Sequence, residues 1–167
     1  AGLSYLPLAL MIIVASGIAS QLVTRIGFKP VLTAGMAFIA VALVWFSQVS
    51  VGGGFVTDIL GPSLLAATGL GFAFVTTTIA AVSGVRDQES GLASGLINTS
   101  QQVGGALGLA VLSTVAFPQI EDAAVQAGGP PTPAMLTDGY SEAFMVGAGI
   151  ALLGVVAALT LIRNRDS

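Results

Sequence analysis

Long apolar stretches alternate with short polar turns along this chain of 167 residues. Five stretches reach the roughly 20 residues that a helix needs to cross about 30 Å of hydrocarbon at 1.5 Å per residue. The pattern therefore predicts five membrane-spanning helices, over residues 3–23, 31–49, 59–83, 90–117 and 143–162. Residues 118–142 contain Gly128-Gly129-Pro130-Pro131, which predicts an irregular outer loop.

Composition agrees with this pattern. Hydrophobic residues make up 54% of the chain and charged residues only 8%, whereas a soluble domain carries about 25% charged residues. Inside lipid every backbone polar group must be hydrogen-bonded, which a helix achieves alone and a barrel achieves with shorter alternating strands that this sequence lacks. We therefore expect an all-α membrane protein in which residues 1–167 form part of a transmembrane domain.

The residue types that are missing exclude several chemistries. The sequence has no cysteine and no histidine, and the interiors of the five predicted spans contain no charged residue. Thiolate nucleophiles, the usual general base and the commonest metal ligand are therefore missing, and we expect no enzyme, no metal and no cofactor. A nucleic-acid surface would need a basic patch, and the basic residues are too few to form one.

Placement of the basic residues predicts an orientation. All of them follow the first, third or fifth span, so they share one side of the membrane if all five segments cross it; they are Arg25, Lys29, Arg86, Arg163 and Arg165. Loops rich in lysine and arginine face the cytoplasm. We therefore expect a multi-pass protein of the plasma (inner) membrane with the start of the chain outside and its C-terminus in the cytoplasm.

The fourth span carries a polar stripe. Three- and four-residue spacing places four polar side chains on one helical face with Gly105; these are Ser94, Asn98, Gln101 and Gln102. Amides are costly against lipid, so the stripe either lines a water-filled cavity and binds a substrate, or hydrogen-bonds a neighbouring helix. The glycines of this span recur in GxxxG pairs and predict close helix packing, at Gly91, Gly95, Gly104, Gly105 and Gly108.

Two segments of the sequence carry recognisable motifs. Around the end of the first span stand Gly17, Arg25, Gly27 and Lys29. These residues resemble the pattern Gly-x-Leu-x-Asp-Arg-x-Gly-Arg-Lys in the cytoplasmic loops of the major facilitator superfamily. Thr24 replaces the acidic residue and Phe28 replaces a basic one. The fourth span is similar to the penultimate helix of fourteen-helix drug/proton antiporters, Gly-Leu-Ala-Ser-Gly-x-x-Asn-Thr-x-Arg-Gln-x-Gly-Gly-Ala-x-Gly, with Gln101 in place of the arginine.

The resemblance implies that the chain is a C-terminal fragment, the last five helices, which forms most of one helical half of the fold. It implies alternating access together with missing N-terminal helices of the same chain, and proton-coupled efflux of a small amphipathic substrate. On this interpretation Asn98 and Gln102 line the cavity, with Ser94 and Gln101 next, while Arg25 and Lys29 belong to a cytoplasmic gate loop. A proton carrier would lie in the missing part or at a span end such as Asp58.

Two alternatives to proton-coupled drug efflux remain open. The same cavity would serve the export of an endogenous metabolite, a lipid or an antibiotic made by the cell. A third interpretation, of another class, is a membrane interaction protein of five helices that transports nothing.

Overall fold

Five long helices make up the fold. The computed structural model describes residues 5–83 and 85–162, and each of its long helices is long and apolar enough to cross a membrane. The helices are α1 (Leu6–Ile26), α2 (Phe28–Phe46), α3 (Gly61–Val82), α4 (Ser90–Ala127) and α5 (Pro133–Leu161). A π-helical turn, Phe55–Leu60, precedes α3, and a 3₁₀ turn, Asp87–Glu89, precedes α4. The predicted all-α membrane fold is confirmed.

A single residue joins α1 to α2. Gly27 has a φ of 85°, a left-handed conformation that favours glycine, and its N–H donates to the carbonyl of Val23 at 3.0 Å. Pro30 lies in the first turn of α2, where its missing N–H leaves no helical hydrogen bond unmade. Helix α1 therefore ends at Ile26, three residues beyond the end of the predicted first span, because Thr24 and Arg25 continue the helix.

The third helix lies between α1 and α2 and touches both through glycine. A methyl group on Gly69 would stand 2.6 Å from the carbonyl oxygen of Gly35 on α2. A methyl group on Gly71 would stand 2.9 Å from the Cβ of Ala15 on α1. Residues two apart point about 200° apart around a helix, so the two glycines serve opposite neighbours. The backbones of three helices can therefore approach closely at this level.

The fifth helix packs along α2. At the end where α2 finishes, Phe46 stacks on Phe144 with ring centroids 5.2 Å apart, and the Ser141 hydroxyl donates to the carbonyl of Ser47. Towards the other end, a methyl on Gly154 would collide with the side chain of Met36. These contacts make α2 and α5 antiparallel.

Helices α2 and α3 are also antiparallel, because Gly61 near the start of α3 meets Trp45 near the end of α2, while Gly69 meets Gly35. The helices therefore alternate in direction, and Arg25, Lys29 and Arg86 share one end of the bundle. Arg163 and Arg165, which completed the predicted pattern of basic residues, lie outside the described residues.

Residues 118–142 differ from the prediction of an irregular loop. Helix α4 continues through Pro118 to Ala127, so that its 38 residues extend about 57 Å, and α5 begins at Pro133. Ala116 and Ile120 of α4 pack on the small residues Gly139 and Ala143 of α5. Only 128–132 form the turn, in which Gly128 has a φ of 68° and Thr132 caps α5. The loop prediction was wrong because packing between two polar helix ends extends both helices.

We expect Gly69→Ala to destabilise the protein, because the added methyl overlaps the α2 backbone. Overpacking costs about 1–3 kcal/mol, which lowers the unfolding temperature by roughly 2 °C or more. Thermal unfolding of the purified protein in detergent measures this change. Gly149→Ala is the matched control, since a methyl there meets no atom of the described chain within 4 Å. Equal unfolding temperatures for the two variants would contradict the contact.

Candidate functional site

The polar stripe of α4 continues the face with which α4 contacts α5. Leu112 lies 3.4 Å from the position of a methyl on Gly147 of α5. Gly105 and Asn98 precede Leu112 by one and two seven-residue steps, and a helix drifts only about 20° over each such step. The stripe is therefore turned to the side on which α5 lies, and the exposed leucines of the same segment are on other faces.

Close contact between α4 and α5 is found in the halves of the two helices that adjoin their connecting turn. The buried residues of α4 are Ala116, Ile120 and Ala124, while α5 continues along α2 past Gly154. In the other half of α4 no described residue is buried, and Leu92 is 77% exposed. We call the thinly covered space beside that half, which the stripe borders, the gap between α4 and α5.

The stripe residues have the following environments in this gap. Ser94, Asn98 and Gln102 are exposed and Gln101 is half-buried. None of the three amides hydrogen-bonds another residue in the described part of the chain. Their donors and acceptors are therefore available to water, to a substrate or to a helix other than the five described here. Cavity lining by these residues stays a prediction.

The five glycines of α4 make no close contact with the rest of the described chain. A methyl group added to any of them would meet nothing within 4 Å; this holds for Gly91, Gly95, Gly104, Gly105 and Gly108. Close packing at these positions would need a helix other than those described, and it stays a prediction. The close helix contacts that the structure does contain are at Gly35, Gly69, Gly71, Gly139 and Gly154.

The gate-loop motif folds into two helix ends around Gly27. Arg25 is exposed in the last turn of α1, where its charge suits the negative end of the helix dipole, and Lys29 is half-buried in the first turn of α2. The Thr24 hydroxyl, in the acidic position of the motif, donates to the carbonyl of Gln21 at 2.7 Å. Counting back from Arg25, the first glycine of the motif falls at Ser20. Gly17 is therefore an exposed residue within α1 and not part of the turn.

Asp58 belongs to the π-helical turn before α3. Its carboxylate accepts a hydrogen bond from the Thr57 hydroxyl at 2.7 Å, and neither side chain caps α3. The Thr57 hydroxyl instead reaches the carboxylate and the Gly54 carbonyl. The carboxylate is thus held at the end of the helix that faces away from Arg25 and Lys29.

A buried hydroxyl and an apolar groove were not expected from the sequence. The Thr78 hydroxyl donates to its own helix at the Phe74 carbonyl, as threonines in lipid commonly do, whereas the buried Thr76 hydroxyl has no partner among the described residues. A groove of about 540 Å³ runs between α1 and α3 and is lined by Ile12, Ser16, Leu70, Phe74, Val75, Thr78 and Ile79. The four-residue spacing of Leu70, Phe74 and Thr78 is the sequence signal for it.

Comparison with known proteins identifies the family. The chain is 35% identical to the cephamycin export protein CmcT of Amycolatopsis lactamdurans over 96% of this chain and 31% of that protein. It is 34% identical to the puromycin resistance protein pur8 of Streptomyces alboniger over 98% of this chain and 34% of that protein. It is also 30% identical to the MFS-type transporter EfpA of Mycobacterium tuberculosis over 69% of this chain and 22% of that protein. The chain belongs to the major facilitator superfamily.

Membership of the major facilitator superfamily confirms the resemblance seen in the sequence. These are transport proteins, so the prediction that the chain is not an enzyme is confirmed with it. The chain spans about a third of the length of the first two relatives. No protein-family model matches the chain, and no solved structure matches it.

We expect a cysteine at position 98 to react with a water-soluble maleimide, because the stripe borders a gap that holds water if it is a cavity. The sequence has no cysteine, so a single introduced thiol reports its own surroundings. Asn98→Cys is compared with Leu96→Cys, which is 67% exposed on another face of α4 and faces lipid on this interpretation. Labelling in membranes should be at least several-fold faster at position 98. Equal labelling of the two would contradict the cavity assignment.

Proposed function

We propose that the chain is the C-terminal part of a secondary active exporter of small amphipathic molecules. The observation that carries the proposal is the row of amides on α4 that have no hydrogen-bond partner among the described residues, in a member of a transporter superfamily. Relatives named for cephamycin export and for puromycin resistance support an exporter of drug-like compounds. A multi-pass position in the bilayer follows from the five apolar helices.

The gap between α4 and α5 is the proposed substrate cavity. Asn98 and Gln102 present both donors and acceptors to it, which suits a ligand with several polar groups. The proposed cycle rocks this bundle against the remainder of the transporter, so that the cavity opens to each side in turn.

The proposal also concerns proton coupling. A proton carrier must titrate, and the interiors of the spans contain no aspartate, glutamate, lysine, arginine or histidine. Asp58 is at a helix end, bonded to Thr57. We therefore propose that the coupling group belongs to another part of the transporter, and that the residues described here hold substrate and shape the pathway.

A narrower substrate class has support from the relatives. Cephamycin, puromycin and tetracenomycin each appear in the name of a relative from Amycolatopsis or Streptomyces. Export of an antibiotic made by the cell itself is therefore the second candidate function. Comparing export of such antibiotics with export of synthetic cationic dyes by the same cells distinguishes self-protection from broad drug efflux.

The export prediction concerns Asn98→Ala combined with Gln102→Leu in the intact transporter. Each lost hydrogen bond to substrate costs about 0.5–1.5 kcal/mol, so we expect the initial rate of export to fall roughly fivefold or more. Efflux from loaded cells measures the rate, with the amount of protein in the membrane matched. Leu96→Ala is the control on the opposite face. Undiminished export by the double variant would exclude these amides from the substrate pathway.

The orientation is tested separately. We propose that the transporter lies in the plasma membrane with the turn between α4 and α5 outside and the turn at Gly27 in the cytoplasm, since Arg25, Lys29 and Arg86 share that end. In intact cells a membrane-impermeant maleimide should label Gly128→Cys. It should label Arg86→Cys only after the membrane is opened. The reverse result would invert the proposed topology.

A further inference from the structure

We propose that the groove between the start of α2 and the end of α5 binds an anionic phospholipid, whose phosphate lies against Lys29. This groove has a volume of about 540 Å³ and is distinct from the substrate cavity and from the groove between α1 and α3. It is lined by Ile26, Lys29, Pro30, Thr33, Ala34, Ala37 and Leu159. The inference concerns a lipid held at the surface of the transporter, and it does not depend on what the transporter exports.

The groove changes in polarity along its length. Lys29 lies at the end of the groove beside the turn at Gly27, and Ala37 is two turns further along α2, about 12 Å away. Between them the lining is apolar, since the Thr33 hydroxyl donates to the Lys29 carbonyl at 2.8 Å and so is satisfied by its own helix. A charged end at the helix boundary and an apolar run towards the bilayer centre match the head group and an acyl chain of a phospholipid.

The charged end of the groove favours an anion. No side chain caps the start of α2, and its first turn contains no acidic residue, so its free N–H groups reinforce the charge of Lys29. Arg25 adds a second positive charge four residues before Lys29, across Gly27.

Most described carboxylates are far from this charge. They lie at the other end of the helices, at Asp58, Glu121, Asp122, Asp138 and Glu142. Basic pockets between membrane helices on the cytoplasmic side bind anionic head groups by this chemistry.

Lys29 itself is positioned to reach the interface. Its side chain is half-buried and lines the groove. A lysine so placed can cover apolar surface with its methylene stem and keep its ammonium in water. Arg86, at the same end of the bundle, is exposed and does not line the groove. Comparing variants of Lys29 with variants of Arg86 therefore distinguishes a specific lipid site from the general attraction between a basic surface and anionic lipids.

The test measures lipid binding to the intact transporter purified in detergent. Native mass spectrometry gives the fraction of protein that carries one phosphatidylglycerol or, in a parallel titration, one phosphatidylcholine with the same acyl chains. One basic residue near the membrane surface changes the affinity for anionic lipid about fivefold. We therefore expect Lys29→Gln to weaken phosphatidylglycerol binding about fivefold, and Lys29→Arg and Arg86→Gln to leave it within twofold of the unaltered protein.

Two further measurements separate lipid from other ligands. Ala37→Leu, which fills the apolar end, should also weaken phosphatidylglycerol binding, and inorganic phosphate in excess should fail to displace the lipid. The proposal is overturned if Lys29→Gln binds phosphatidylglycerol as well as the unaltered protein, or if Arg86→Gln weakens binding equally. Complete displacement by inorganic phosphate, or equal binding of phosphatidylcholine, overturns it as well.

Discussion

Backbone contact across α3 is the interaction on which the arrangement of the other helices depends. Lipid tails are as apolar as leucine, so helices in a bilayer gain little by burying leucine and associate through close packing of small residues. Gly69 against Gly35 and Gly71 against Ala15 supply that packing on opposite sides of one helix. Once α1, α2 and α3 are joined, α5 has a surface on α2 to follow, and α4 is attached to the bundle chiefly through α5.

The sequence predicts the number and type of the helices because hydropathy measures what a bilayer requires. It does not predict where a helix ends outside the bilayer. Residues 119–127 are too polar to be counted as a span, yet they continue α4 because Ile120 finds Gly139 on α5. The Gly-Gly-Pro-Pro run correctly marks a turn, but the turn is only residues 128–132. The length of a helix outside the membrane is thus set by contact with a partner helix, which hydropathy does not measure.

The candidate site, too, can be predicted from the sequence only in part. The stripe on α4 follows from spacing alone, and the exposure of Ser94, Asn98 and Gln102 agrees with residues that need a polar neighbour. Spacing cannot name that neighbour, and the GxxxG glycines therefore predicted contacts that the described helices do not make. Conversely, Gly69 and Gly71 are only two residues apart and form no GxxxG pair, although they make the closest approaches to the backbone of a neighbouring helix among the described residues. A glycine shows that close approach is possible, and only the fold shows where it occurs.

The one-residue connection at Gly27 restricts how the protein can move. Two peptide units can span no more than about 7 Å, so the ends of α1 and α2 cannot part by more than that in any conformation. Any rearrangement of this bundle must therefore carry these two helix ends together, with Arg25 and Lys29 on either side of the connection. Any separation of α1 from α2 has to take place at the opposite membrane face, where the connecting chain imposes no such limit.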